Sequence, residues 1–464
     1  MIRKRAGQRS FSDAILFGAH IPDPKTLLDP VLRQLDELLG SDELVDEVLF
    51  ALRKRHPQSA RRGRPGTPAE VALRLLALKH IRQWSFEELE WEVTGNVAYR
   101  AFCRIDSGKV PDAKTMIRIN QAIDEATLRR VFERVVGEAK RRKVTRGRRM
   151  RVDTTVVETG VRYPLDSGLC EDVARVACRE MERVRAAGLP VPDTFRNVRR
   201  SVARRLYEIE QIGRRPTSRE AKLEALKKPY KRLLRIAGRL VRQAREVVEA
   251  AARLRRTIPG RVARSLSVLE RVVVHGKQVV VQTRARILRG ETKTSGKLVS
   301  IFEPHTQILR KGKKHKPTEF GRTVKVQEAE GGIVTDIAVV DAHDSALIES
   351  SIDVHTKHFG RPPRVLAADR GFYSGANLER ATAMGVRHVV IPTTGHRTAT
   401  VRAREGTRAF RTARAWRAGG EARISRLKRT FGMARSRYRG DAGLARCTYW
   451  AAIANNLVAI ARAA

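Results

Sequence analysis

Two aspartates stand where the chain otherwise places apolar side chains. Asp153 lies inside Met150 to Glu158 (MRVDTTVVE), a run rich in Val and Thr that reads as a strand. A carboxylate buried there without a partner would be costly, so the position calls for one. Asp369 ends a second apolar run, Arg364 to Gly371 (RVLAADRG). In open α/β sheets, sites form at the carboxyl ends of strands. Taken singly, the plainer reading of each is a strand-end or turn aspartate. Together they fit a site for a hard divalent cation, which takes carboxylate oxygens from rigid elements.

A third ligand would have to come from a nearby helix. Arg417, Glu421 and Lys428 give the spacing R-x3-E-x6-K. Residues seven apart on a helix lie about 20° apart, so Glu421 and Lys428 share a face. Ile424, Leu427 and Phe431 form the neighbouring apolar stripe that would dock on a sheet. Glu421 follows Gly419-Gly420 and is expected to start its helix, where a carboxylate complements the helix dipole. That complement could also be its whole role. Trp416 has two readings, a core side chain or a platform for an unpaired base.

The elements that must position these residues are legible from periodicity. Residues 1 to about 145 read as helical. Pro68 to His80 carries Val71, Leu75 and Leu78 at helical spacing, Ser85 and Glu88 form a capping box, and a helix from about Asp112 holds Met116, Ile119 and Ile123. A compact bundle of helix-turn-helix character that binds DNA is one reading, and a plain helical bundle is the other. Ala60 to Arg64 (ARRGR) is a basic joint, either a phosphate contact or a solvated loop. Lys140 to Arg151 (KRRKVTRGRRMR) marks a boundary, after which the period becomes that of β-structure.

From 166 to about 256 a charged helical stretch interrupts the β pattern. Leu223, Leu226, Tyr230, Leu233, Ala237, Leu240, Ala244, Val247, Ala251 and Leu254 form a heptad seam. A Thr217/Glu220 capping box is expected to open it, and Pro229 to kink or restart it. An antiparallel hairpin within one chain is the first reading, an intermolecular coiled coil the second. Strands are then expected within Val272 to Thr283, around a turn at His275-Gly276-Lys277, and over Leu298 to Phe302. Thr323 to Gln327 and Ile333 to Val340 flank Gly331-Gly332 as a hairpin. A helix from about Ser345 to Phe359, the Asp369 strand, a helix from Ala376 to Met384, a strand from His388 to Ile391, a basic loop and two helices from about Glu421 complete the chain. A meander followed by alternating strand and helix is the order of an RNase H-like α/β core. The expected architecture is an all-α N-terminal domain over 1–145, then an RNase H-like core over 146–464 with a helical hairpin inserted at about 166–256.

The composition narrows the partners. The 94 Lys and Arg against 50 Asp and Glu give a net charge of +44, which favours polyanions, with DNA and RNA first. An alkaline-shifted proteome would account for part of that charge. The 42% of hydrophobic residues suffices for a sizeable core and argues against global disorder. Cys103, Cys170, Cys178 and Cys447 form no C-x-x-C pair and read as reduced thiols of a cytosolic protein. The start (MIRKRAGQRSFSDAILFG) lacks the core of a secretory signal, and no run of about 18 apolar residues predicts a membrane span. The expectation is a cytoplasmic, nucleoid-associated protein.

These motifs resemble the DDE transposases of bacterial insertion sequences, most closely the ISNCY-type group. GRPGTPAEVALRLLALKHIRQWSFEELEWEV resembles their N-terminal domain, and MRVDTTVVETGVRYPLDS their first-aspartate motif, followed in that group by a helical insertion. KPTEFGRTVKV and VLAADRGFYSGAN resemble the middle strands and second-aspartate motif. R-x3-E-x6-K matches the end of the Y-x2-R-x3-E-x6-K signature of related transposases, with Arg414 where that signature has Tyr.

The resemblance implies metal-dependent cleavage of transposon ends and strand transfer into target DNA. Asp153, Asp369 and Glu421 would be the catalytic triad and would hold two Mg²⁺ ions, with Mn²⁺ able to substitute. Arg417 and Lys428 would hold phosphates. Arg370, Arg148 and Arg149 are further expected DNA contacts. The partners implied are double-stranded DNA, as terminal inverted repeats and target, and a second copy of the chain in a homodimer on DNA. The alternative is a catalytically inactive DNA-binding protein derived from a transposase.

Overall fold

The computed structural model describes residues 4, 24–55, 58, 66–105, 108–254, 258–292, 295–310, 317–394 and 398–464. The basic joint Ala60 to Arg64 lies outside the described residues, as does most of the N-terminal segment. The chain divides into two compact units, one of residues 1–159 with 321–464, the other of residues 160–320.

In the first unit come α1 (Pro30–Leu38), α2 (Asp42–Arg55), α3 (Ala69–Arg82), α4 (Phe86–Gly95), α5 (Val97–Phe102), α6 (Ala113–Ala122), α7 (Glu125–Arg141) and strand β1 (Arg149–Glu158). The second unit holds α8 (Asp166–Ala186), α9 (Arg199–Arg214), α10 (Arg219–Ala252), α11 (Gly260–Leu288) and the short strand β2 (Gln307–Leu309). The first unit resumes along β3 (Glu319–Ala329), from Gly321 on, and continues with β4 (Val334–Val340), α12 (Ile348–Phe359), β5 (Val365–Ala367), α13 (Gly375–Ala383), β6 (His388–Val390), α14 (Ala399–Gly406), α15 (Arg408–Thr430) and α16 (Gly440–Ala463).

The N-terminal helices start where side-chain caps satisfy their first amides. Asp29, Asp112 and Asp124 accept from Leu32, Thr115 and Thr127, and the Ser85/Glu88 capping box forms as read. Helix α3 is buried on nearly every side, including Arg74, whose guanidinium is paired with Asp36 at 2.7 Å and Glu70 at 3.1 Å.

These helices were expected to form a domain of their own. In the structure they share one core with the sheet and α16. Helix α16 packs on α1, α3, α7 and β4. Trp450 donates to Asn120 and stacks on His80 at 5.0 Å, while the Asn456 amide bonds both the N–H and the carbonyl of Val334. The basic run 140–151 is thus a turn between packed elements. Its backbone N–H groups at Arg146, Arg148 and Arg149 converge on the Glu330 carboxylate.

Within the first unit the strand order is β4-β3-β1-β5-β6. β3 is antiparallel to both β1 and β4, and β1, β5 and β6 run parallel. The hairpin around Gly331-Gly332 forms as the sequence predicts, with both glycines at positive φ.

The second unit departs from the sequence reading in three places. Val272 to Thr283 is part of α11, not a strand pair. Its buried residues Leu266, Leu269, Val272, Gly276, Val279 and Thr283 recur every three or four positions, which sets the helical period. Gly276 is no turn residue. A Cβ there would sit 2.7 Å from Val241 and 3.2 Å from Val173, so the glycine lets α10 and α8 approach. Leu298 to Phe302 is not a strand either, because the Gln282 amide bonds both the N–H and the carbonyl of Leu298. Finally, Ser218 caps α10, not Thr217, and the helix runs unbroken through Pro229.

The heptad seam is buried from Tyr230 to Ala251 against α8, α9 and α11 of the same chain. The insertion is therefore a multi-helix unit that extends beyond 256, and its seam is covered without a second chain.

Candidate active site

The sheet register brings the two aspartates together. β1 pairs in parallel with β5, Arg151 opposite Ala367. Two residues further on stand Asp153, within β1, and Asp369, just past the end of β5. Asp153 is half-buried, and its Oδ1 accepts from the Thr154 N–H at 2.8 Å. Asp369 caps the short turn Arg370–Phe372, its Oδ1 accepting from the Gly371 N–H at 2.7 Å. Arg417 bridges the pair, with Nη2 at 3.4 Å from Asp153 Oδ2 and 3.8 Å from Asp369 Oδ2. Its buried Nε has no hydrogen-bond partner among the described residues. The space between the carboxylates is thus one that takes positive charge.

Glu421 lies one turn beyond Arg417, well inside α15. This corrects the expectation that it opens a helix. Thr407 caps α15, and Gly419-Gly420 are interior positions that make room for Arg151. A Cβ on Gly419 would lie 2.8 Å from the Arg151 guanidinium. Glu421 is exposed, and among the described residues no three His, Cys, Asp or Glu side chains lie close enough to hold a metal ion together. The structure brings together Asp153, Asp369 and Arg417, and does not bring Glu421 to them. Lys428 follows on the same helix, half-buried. Arg370 is exposed beside Asp369, and Arg148 and Arg149 are exposed at the start of β1. Trp416 is half-buried, with the Arg151 guanidinium 4.7 Å over one face of its ring.

Two supporting acids escaped the sequence reading. Glu328, on β3, is 3% exposed. It pairs with Arg151 at 2.7 Å and with Arg423 at 3.1 Å. That buried triad ties β1 and β3 to α15, the helix that carries Arg417 and Glu421. The two glycines before Glu421 were the available signal, misread as a helix start. The second acid, Asp344, accepts from the Thr154 hydroxyl at 2.9 Å. It also approaches the turn after Asp369, where a Cβ on Gly371 would meet Asp344 at 3.0 Å and Asp369 at 3.1 Å. Its signal was the polar stretch Asp341 to Asp344 directly after an apolar strand.

Two family models match the chain: a transposase domain (DUF772) over residues 17–122 and a transposase DDE domain over residues 303–457. Curated proteins and solved structures gave no match. The first span covers the N-terminal helices, and the second covers β3 through most of α16, including Asp369, Arg417 and Glu421. A transposase DDE domain implies an RNase H-like fold, and the chain has a mixed sheet and an N-terminal helical region. With both spans matched, the chain belongs to the DDE transposases of insertion sequences.

Proposed function

We propose that this transposase cleaves the ends of its element and joins them to target DNA, with Asp153, Asp369 and Glu421 as the acidic triad. The observation that carries the reading is the pair of carboxylates on adjacent parallel strands with a cationic group drawn between them. Two hard oxygen donors around a position that accepts positive charge suit Mg²⁺ or Mn²⁺. Glu421 would complete the set by a rearrangement of α15, on which it is exposed and near Arg417. Bound divalent cations supply two things in such a site: activation of the attacking water or 3′-hydroxyl, and stabilisation of the leaving 3′-oxygen.

The chain's own residues do the positioning. Arg417 exchanges its carboxylate partners for a phosphate when DNA enters, and Lys428 holds the next phosphate along the same helix face. Arg370, Arg148 and Arg149 add phosphate contacts around the strand ends. The N-terminal helices, including the DUF772 span, read the terminal inverted repeats. The protein acts as a homodimer on DNA in the cytoplasm, at the nucleoid. The helical unit that follows the first-aspartate strand supports assignment to the ISNCY-type subgroup, and the strand order supports an RNase H-like core interrupted by that unit.

The test is Asp153→Asn, Asp369→Asn and Glu421→Gln in the full-length protein. Each should abolish Mg²⁺-dependent cutting of end-containing DNA and leave the gel-shift affinity largely intact, because basic side chains elsewhere supply it. Near-wild-type cutting by any one variant removes that residue from the triad.

A further inference from the structure

We propose that the exposed face of α10 is a second DNA-binding surface, one that grips the sugar-phosphate backbone of duplex DNA without reading sequence. The proposal rests on the reading of the protein as a DNA transposase. Between 228 and 245 every exposed position of α10 is basic: Lys228, Lys231, Arg232, Arg235, Arg239, Arg242 and Arg245. Exposed Glu224 bounds the run on one side and exposed Glu246 on the other. The opposite face of the same helix is the buried seam, so the stripe points away from the core of its own unit.

A solvated helix face does not account for this pattern. Such faces interleave signs, because like charges three or four apart destabilise a helix. Other basic residues of the unit do have acidic partners, although the start of α9, with Arg196 just before it, also exposes Arg199, Arg200 and Arg204. Arg175 pairs with Asp172, Arg214 with Glu210, Arg289 with Glu291 and Lys227 with Glu224. The exposed face of α11 is basic too, but it interrupts its Arg and Lys with Ser267, Glu270, Val274, Gln278 and Val281, whereas that of α10 between 228 and 245 has no such break. On α10 none of the seven makes an ion pair or hydrogen bond among the described residues. A row of like charges without local partners is stabilised by an external polyanion.

The geometry favours duplex DNA over other polyanions. At 1.5 Å per residue the stripe is roughly 26 Å long. At about 3.4 Å per phosphate along one strand, that length spans roughly seven phosphates. The stripe carries no exposed aromatic side chain to stack unpaired bases, so single strands are disfavoured. It carries no exposed Asn or Gln to pair with adenine edges, and equal loss on end-containing and scrambled DNA is the mark of phosphate contact over guanine readout by the arginines.

The experiment is a salt titration of duplex affinity with the full-length protein, on end-containing and scrambled DNA. The test variant is Arg235→Gln, Arg239→Gln, Arg242→Gln. A charge-matched control is Lys227→Gln, Arg214→Gln, Arg289→Gln, which removes three cations that already have acidic partners. Each lost phosphate contact should lower the slope of log K against log salt by about 0.9, so the test variant should lose roughly 2.7, equally on both DNAs. The control should keep the wild-type slope, and a third variant, Arg235→Lys, Arg239→Lys, Arg242→Lys, should keep it too. An unchanged slope in the test variant, or an equal loss in the control, overturns the surface and leaves the transposase reading standing. A slope change seen with structured RNA or anionic vesicles but not with duplex DNA also overturns it. If the wild-type protein binds no DNA, the transposase reading falls with it.

Discussion

Replacing Glu328 with Ala should show how α15, the helix of Arg417 and Glu421, is held. The carboxylate is 4% exposed and sits between Arg151, at 11%, and Arg423, at 14%. Its loss leaves two poorly solvated guanidinium groups facing each other without a counter-charge. Breaking a buried pair by removing one partner costs about 3–5 kcal/mol. The lower end applies, because Arg423 keeps Asn455 at 2.9 Å and Arg151 keeps the Trp416 carbonyl. With an unfolding entropy of about 2.1 cal/mol/K per residue over roughly 300 residues, each kcal/mol shifts the midpoint by ~1.6 °C, so the expected fall in Tm is about 5 °C. Differential scanning calorimetry measures it. Cleavage should drop further than DNA binding, since α15 loses its tie to β1 and β3. Replacing all three members with Met should restore most of the Tm, because a buried ion network and a packed apolar one are close in stability. A Glu328→Ala protein that melts within about 1 °C of wild type would refute the argument.

Three other outcomes are expected. Asp344→Ala should slow cleavage by roughly 10–100-fold at saturating DNA, the usual loss when a group that orients a ligand is removed. Asp344→Asn, which can still accept from Thr154, should recover most of it, and equal rates for the two would exclude a positioning role. Gly276→Ala should destabilise the protein in urea melts despite better helix propensity, because an added methyl at 2.7 Å from Val241 forces repacking of about 1–3 kcal/mol against a propensity gain of about 1. A more stable variant would mean that α10 and α11 can move apart. His355 bonds the Gly147 carbonyl from a buried site, and burial pushes its pKa down to about 4. The unfolded chain therefore takes up the proton first. Its contribution is complete above about pH 6.5 and is lost as pH falls toward 4. His355→Gln should flatten that part of the stability curve, and an unchanged slope would place the acid sensitivity elsewhere.

The acids were legible because they break a pattern: a carboxylate in a Val/Thr strand and another at the end of an apolar run. The hairpin at Gly331-Gly332 was legible because its glycines and alternating flanks agree. Two of the misreadings, the turn at Gly276 and the helix start at Glu421, share one cause. Glycine was taken as punctuation where it serves as space. Gly276 admits Val241, and Gly419 admits Arg151, and in both cases the partner is far away in sequence. Local pattern carries no trace of such a neighbour. The same holds for Glu328, an unremarkable acid in β3 until Arg151 and Arg423 are seen on either side of it. The joining of the N-terminal helices to the sheet was equally hidden, since Trp450 and Asn120 are 330 residues apart.

That joining has a consequence during synthesis. The helices made first pack against α16, and the helical unit of 160–320 is made in between. At about 5–20 residues per second, roughly 15–60 s pass between the emergence of β1 and that of α16. Throughout that interval the early helices expose the surface that Trp450 and Ile453 will cover, while the inserted unit can close its own core. A chain that stops short of α16 lacks the element that packs on α1, α3, α7 and β4, so the helices made first and the sheet are left without the core they share.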